Sequence, residues 1–157
     1  MRKGTLPHAH YIETLASRIA TAQPYWNFDA DGSRKSTAFP AKPGIYLLMR
    51  RVNLPDDTYR TKGVNLRSPL IMYVGKSGSL RERMRQHFGG SKPNYQGSQF
   101  VKFLYQICQD EEAVTRILSS PDTLIVHVVI EEGEEVVDFV ENLAMQVFQP
   151  RFNIKDR

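Results

Sequence analysis

The spacing of apolar residues changes character several times along this chain, and each change marks an element. Between His8 and Gln23, Ile12, Leu15, Ala16, Ile19 and Ala20 recur at helical intervals, and Pro24 ends the pattern. In the loop that follows, Trp26 and Phe28 are expected to anchor the helix on the core. Gly44 to Met49 and Leu70 to Val74 are short apolar runs that predict two strands. The polar stretch Arg50 to Pro69 between them exceeds the roughly two to five residues usual in a hairpin loop, so it forms either a flap or an extension of both strands. Ser79 and Glu82 have the spacing of a capping box. They open a helix with Leu80, Met84, His87 and Phe88 on one face, which Gly89-Gly90 closes. Phe100, Phe103, Leu104 and Ile107 predict a helix over Ser98 to Cys108, and a shorter one covers Glu111 to Leu118. Thr123 to Ile130, rich in β-branched residues, predicts the third strand. After Gly133, Glu134 to Phe148 predicts a helix that turns Val136, Val140, Leu143, Ala144 and Val147 inward and stops at Pro150.

Three short strands among helices predict an α+β domain: a small three-stranded, mainly antiparallel sheet flanked by helices, with an extra N-terminal helix. Residues 1–42 would form the N-terminal helix and aromatic loop, and residues 43–157 the main domain. A length of 157 residues suits one domain with its own core. Hydrophobic residues at 41% and charged residues at 24% argue against wholesale disorder. No apolar run approaches the ~18 residues that span a bilayer, and no apolar segment follows the basic N-terminus as a signal peptide requires. The single cysteine, Cys108, excludes an internal disulfide and a cysteine-built zinc site, and is expected in the core. A cytoplasmic protein without membrane contact is the expectation. The net charge of +4 and pI of about 9.3 draw the chain to polyanions. Arg81, Arg83 and Arg85 cluster near Lys76 while Glu131 to Glu135 is acidic, so the charge is segregated. The basic group is the candidate nucleic-acid contact.

Two short motifs lie on the first two strands: Gly44-Ile45-Tyr46 and Tyr73-Val74-Gly75. Arg83 stands ten residues after Tyr73, and His87 four residues later on the same helix face. Glu141 stands in the last helix, and Gln149-Pro150-Arg151-Phe152-Asn153 follows, with Asn153 twelve residues beyond the glutamate. From Pro43 to Asn153 this pattern resembles the GIY-YIG nuclease superfamily, which includes intron homing endonucleases, the incision subunit of bacterial nucleotide-excision repair and some restriction enzymes. Tyr46 and Tyr73 are farther apart here than in compact members, and residues 1–42 match no part of the family pattern.

The resemblance implies a DNA endonuclease that hydrolyses phosphodiester bonds with one Mg²⁺ or Mn²⁺ per active site. Glu141 would bind the metal, since a hard cation takes one carboxylate plus water and phosphate oxygens. Arg83 would grip the phosphate with its guanidinium fork. Tyr46 would serve as general base, although Tyr73 could fill that role equally. A tyrosine base needs its pKa lowered from about 10, and Lys76 is the candidate cation. Tyr73 would position the water, His87 would contact phosphate or relay a proton, and Asn153 would tie the tail to the site. The target would be double-stranded or branched DNA, and cutting both strands would require a homodimer or sequential nicks. The same cleft would also suit a non-catalytic nucleic-acid-binding module. His8, His10 and His127 receive no role.

Overall fold

The computed structural model describes residues 7–24, 39–52, 65–83, 99–119 and 122–150. Its core is a sheet with helices on both faces. Helix α1 (Ala9–Ile19) leads into β1 (Gln23–Pro24), and then come β2 (Gly44–Val52) and β3 (Asn65–Ser77). A helical turn at residues 80–83 precedes α2 (Gln99–Cys108), α3 (Glu111–Ser119), β4 (Thr123–Val129) and α4 (Glu134–Phe148). The strand order is β1-β4-β2-β3, and every pairing is antiparallel. The three expected strands are present. A fourth, of two residues, adds Gln23 and Pro24 to the free edge of β4, because the helix expected to run to Gln23 ends at Ile19. Both β2 and β3 run into the polar stretch that separates them, so strand extension accounts for part of its length.

Strand β2 is central and buried at every position from Gly44 to Arg50. A strand covered on both faces has no polar side to show, which is why its sequence is a continuous apolar run rather than an alternation. Ile45, Leu47 and Met49 pack with Leu124, Val126 and Val128 of β4 beneath Ile12 and Leu15 of α1 and Val137, Val140 and Ala144 of α4. Tyr46, Leu48 and Ile125 fill the opposite side with Leu80, Leu104, Val114 and Ile117. Burying a valine such as Val140 stabilises the fold by about 1.5–3 kcal/mol relative to leaving it exposed.

Helix α4 follows the expected bounds, with two adjustments to its inward face. Val137 is buried, Val136 only half-buried, and Val147 is 54% exposed. The inward stripe is Val137, Val140 and Ala144, spaced by three and four residues, and Val147 lies off its end. Glu134 and Glu135 in the first turn suit the positive end of the helix dipole. The helix stops where Gln149 turns left-handed ahead of Pro150. Cys108 packs partly buried against the core, as expected. Arg50 is a buried cation on β2. Its Nη1 donates to Thr123 Oγ1 at 2.8 Å, and that hydroxyl donates to the Ile117 carbonyl at 2.5 Å. This chain of bonds fastens α3 to the sheet. Trp26, Phe28, Met84 and Phe88 lie outside the described residues.

Candidate active site

The two tyrosines meet on one side of the sheet. In the β2–β3 ladder Tyr46 faces Gly75, and Leu48 faces Tyr73, so the tyrosines are diagonal neighbours. Their ring centroids are 6.2 Å apart. Gly75 makes this possible. A Cβ there would stand 2.3 Å from both Cζ and Oη of Tyr46, so the phenol lies across the bare backbone of β3. Because β3 is the outer strand of the described sheet, the Tyr46 hydroxyl lies over the last strand before its edge. Next to Tyr73, Met72 is an extra residue in the ladder, between the Leu48–Tyr73 and Met49–Ile71 pairs. Bulges of this kind re-aim a neighbouring side chain. Gly44 has a different reason to be glycine: a Cβ would meet the Val128 carbonyl oxygen at 2.1 Å, where β4 comes close to β2.

Arg83 is delivered by a tightly bonded turn after β3. Ser77 Oγ accepts the Ser79 N–H at 3.0 Å and donates to the Ser79 carbonyl at 2.7 Å. Ser79 Oγ in turn accepts the Glu82 N–H at 3.3 Å, the capping contact expected of Ser-x-x-Glu. The segment before β2 satisfies further donors of this turn: Leu80 N–H bonds the Lys42 carbonyl at 2.9 Å, and Arg81 N–H bonds the Pro40 carbonyl at 3.0 Å. Arg81 Nε also donates to the Phe39 carbonyl at 2.8 Å, so this arginine docks the turn. Arg83 Nε is buried and has no hydrogen-bond partner among the described residues.

Glu141 and Lys76 come from the other side of the sheet. Lys76 pairs with Ile45, whose side chain belongs to the α1–α4 side. Its ammonium forms an ion pair with Asp138 and lies 3.9 Å from Glu141 Oε1. Asp138 and Glu141 are three residues apart and therefore share a face of α4. The Glu141 side chain is only 16% exposed, while Lys76 and Asp138 are each 45% exposed.

The electrostatics join the two sides. Burial pushes the Tyr46 phenol well above its usual range. The Tyr73 phenol adds to that, Arg83 opposes it, and Glu141 raises it further. Tyr73 is raised by burial, lowered by Arg83 and raised by Glu141. Arg83 and Glu141 thus act on the same pair of phenols. The cation that favours tyrosine ionisation is Arg83 rather than Lys76. Lys76 is committed to carboxylates: its hydrogen bond to Asp138 is the largest influence raising its own pKa. His127 faces Tyr46 across β4, and burial and then Arg18 push its pKa down.

Tyr46, Tyr73, Lys76, Arg83 and Glu141 therefore converge around the edge of β3. His87, Arg85 and Asn153 lie outside the described residues. The sequence reading did not single out Gly75 as the seat of the Tyr46 ring, nor Asp138. The signal for Asp138 was its place one helical turn before Glu141.

No cluster of three or more His, Cys, Asp or Glu side chains able to hold a metal exists among the described residues. A site for a hard divalent cation need not be one. A single partly buried carboxylate, completed by water and phosphate oxygens, is a usual arrangement for Mg²⁺, and Glu141 fits it. No described helix is long and apolar enough to cross a membrane.

No family model matches the chain. UvrABC system protein C of Anaeromyxobacter dehalogenans is 27% identical over 129 residues, covering 82% of this chain and 14% of that protein. The protein of the same name from Xanthomonas oryzae pv. oryzae is 26% identical over 129 residues, covering 82% of this chain and 15% of that protein. The chain thus spans 14% to 15% of the length of these curated relatives. Among solved structures, the GIY-YIG N-terminal endonuclease domain of UvrC from Thermotoga maritima, a point mutant bound to the catalytic divalent cation, is similar with a TM-score of 0.41 and 15% identity. That match covers 77% of this chain and 92% of that one. The same domain bound to magnesium gives a TM-score of 0.40 and 15% identity, covering 76% of this chain and 92% of that one. The Gly44-Ile45-Tyr46 and Tyr73-Val74-Gly75 segments lie on the adjacent strands β2 and β3, with Tyr46 opposite Gly75, in a chain similar over 129 residues to UvrABC system protein C.

Proposed function

We propose that the chain is a divalent-metal-dependent DNA endonuclease whose active site lies at the edge of β3. The observation that carries this reading is that a carboxylate from α4, Glu141, and a guanidinium from the turn after β3, Arg83, act on the same two phenols. A phosphodiester hydrolase needs a metal-binding carboxylate, a cation for the phosphate and a group that orients water, brought together at one accessible place.

Glu141 would hold one Mg²⁺ or Mn²⁺. When bound, the ion supplies charge neutralisation at the phosphate and the leaving oxygen. Arg83 presents a buried Nε without a partner among the described residues, which a phosphate oxygen would satisfy. Tyr73 is the more accessible phenol, and Tyr46 is 1% exposed behind it. Tyr73 is therefore placed to meet the attacking water and Tyr46 to hold Tyr73. Both phenols are protonated at neutral pH, so Tyr73 accepts a hydrogen bond from the attacking water and orients it. Burial opposes its ionisation and Arg83 favours it. His87 and Asn153, given roles by the sequence resemblance, lie outside the described residues. Arg81 extends the basic rim of the proposed site through the part of its guanidinium that Phe39 does not engage.

The test is nicking of supercoiled plasmid in Mg²⁺ or Mn²⁺ by wild type and by Glu141→Gln, with circular dichroism to show that both are folded. The wild type should cleave only with metal, and Glu141→Gln should lose at least ~10²-fold in rate. A wild type that cleaves no supercoiled, linear or branched DNA would overturn the reading, and so would full activity in Glu141→Gln. Fragments of defined size would mark sequence-specific cutting, and a smear would mark non-specific cutting.

A further inference from the structure

We propose that Asp138 is a positioning residue: it holds the Lys76 ammonium so that the lysine does not close on Glu141 and compete with the metal. This rests on the reading of Glu141 as the metal ligand. A lysine carries its charge on a flexible four-carbon stem, so the Lys76 ammonium can turn toward any nearby carboxylate. Two are available on one face of α4, Asp138 and Glu141. The ammonium pairs closely with Asp138 and stays 3.9 Å from Glu141 Oε1, the outer limit of an ion pair. Ammonium and divalent cation want the same carboxylate oxygens, and two cations about 4 Å apart repel strongly in a partly buried site. A lysine closed on Glu141 would therefore weaken metal binding in two ways, by occupying an oxygen and by adding like charge. Asp138 removes both effects. It supplies the hydrogen bond that Lys76 would otherwise seek from Glu141, and its charge cancels that of the ammonium. Lys76 remains at the rim of the site, held by Asp138.

The charges predict how variants behave together. Asp138→Asn leaves an uncancelled ammonium beside Glu141 and should weaken Mn²⁺ binding roughly three- to fivefold, a modest effect because Lys76 and Asp138 are half-exposed. Lys76→Gln alone leaves a carboxylate without its cation and should tighten Mn²⁺ binding by a similar factor. In the double variant Asp138→Asn/Lys76→Gln both charges are gone, and affinity should return to near the wild-type value. Asp138→Glu keeps the charge and should restore most of the affinity. The experiment is Mn²⁺ titration of each folded variant by calorimetry or electron paramagnetic resonance without DNA, with Glu141→Gln as reference. Recovery in the double variant supports the inference. A double variant as weak as Asp138→Asn would overturn it, showing Asp138 to be a metal ligand in its own right. Unchanged affinity in Asp138→Asn would also overturn it. A wild type whose Mn²⁺ binding is absent, or indifferent to Glu141→Gln, would overturn the metal reading itself, an outcome distinct from failure of the Asp138 cycle alone.

Discussion

Alanine at position 75 puts one methyl group where the ring of Tyr46 lies. The added Cβ would stand 2.3 Å from Cζ and Oη and 2.8 Å from Cε1 of Tyr46. Ordinary contact begins near 3.4 Å, so the ring or the strand must withdraw by about 1 Å. The ring is packed with Leu48, Leu80 and Ile125 in a filled core, and overpacking of this kind costs about 1–3 kcal/mol. For a chain of this size that is a loss of about 2–12 °C in Tm, which leaves most molecules folded at room temperature. Catalysis is less forgiving, because a displacement of about 1 Å in a reactive constellation costs about 10²-fold. Gly75→Ala should therefore lose roughly two orders of magnitude in metal-dependent plasmid nicking while remaining folded. Thermal unfolding measured on the same preparation separates the two losses. Gly78→Ala is the control, since a Cβ there meets no heavy atom within 4 Å. The reasoning would be refuted by a Gly75→Ala variant that nicks within about threefold of the wild type. A rate that fell only in proportion to the unfolded fraction would refute it too.

Gly44→Ala should destabilise more than Gly75→Ala, by about 3 kcal/mol or more in urea unfolding, because its Cβ strikes the Val128 carbonyl oxygen, a backbone atom unable to rotate aside. An equal or smaller loss would contradict the close β2–β4 approach. Arg83→Lys keeps the charge but not the planar fork, and should lower the nicking rate by about 10²–10³-fold with little change in Tm. A full rate in that variant would remove the guanidinium from the phosphate. Burial holds the Tyr46 phenol protonated, so its folded pKa lies above the ordinary 10.0. The folded chain then binds more protons than the unfolded chain above that value, and this stability, fully present below about pH 10, is lost as pH rises toward the folded pKa. Tyr46→Phe should flatten the alkaline fall measured by urea unfolding between about pH 9 and 11, and an unchanged slope would mean the phenol is not buried as described.

Most of the fold was legible because each element carries a periodic signal strong enough to read alone. Helix α4 shows how far this reaches and where it stops. Its ends were marked by Gly133 and Pro150, and Val136, Val140, Leu143 and Ala144 do meet the core, but the buried Val137 was left out of its inward face and the exposed Val147 was included. A helix of 15 residues with valines side by side offers two plausible apolar stripes. Only the direction from which β2 and β3 approach decides between them. Strand β1 gave no signal at all. Two residues have no period, and Gln23 and Pro24 join the sheet only because β4 offers a free edge.

The proposed active site was legible in a different way. Tyr46, Tyr73, Arg83 and Glu141 were singled out by intervals along the chain, yet nothing in the intervals says that they approach β3 from opposite sides. Tyr46 packs with the α2–α3 side, while Glu141 and Lys76 belong to the α4 side. They meet because β3 is the edge strand and because Gly75 on it has no side chain to separate them. The same layout separates Lys76 from the tyrosines it was expected to assist. Lys76 is only three residues from Tyr73 in sequence, but an odd offset along a strand sends it to the opposite face, where α4 supplies Asp138. Arg83 is farther in sequence, and the turn bonded through Ser77 and Ser79 returns it to the tyrosines. Inserting a single alanine between Gly75 and Lys76 would bring the lysine to the tyrosine side and detach it from Asp138. The Lys76 contribution to metal affinity, read by the same Mn²⁺ titration, would then vanish without loss of Glu141.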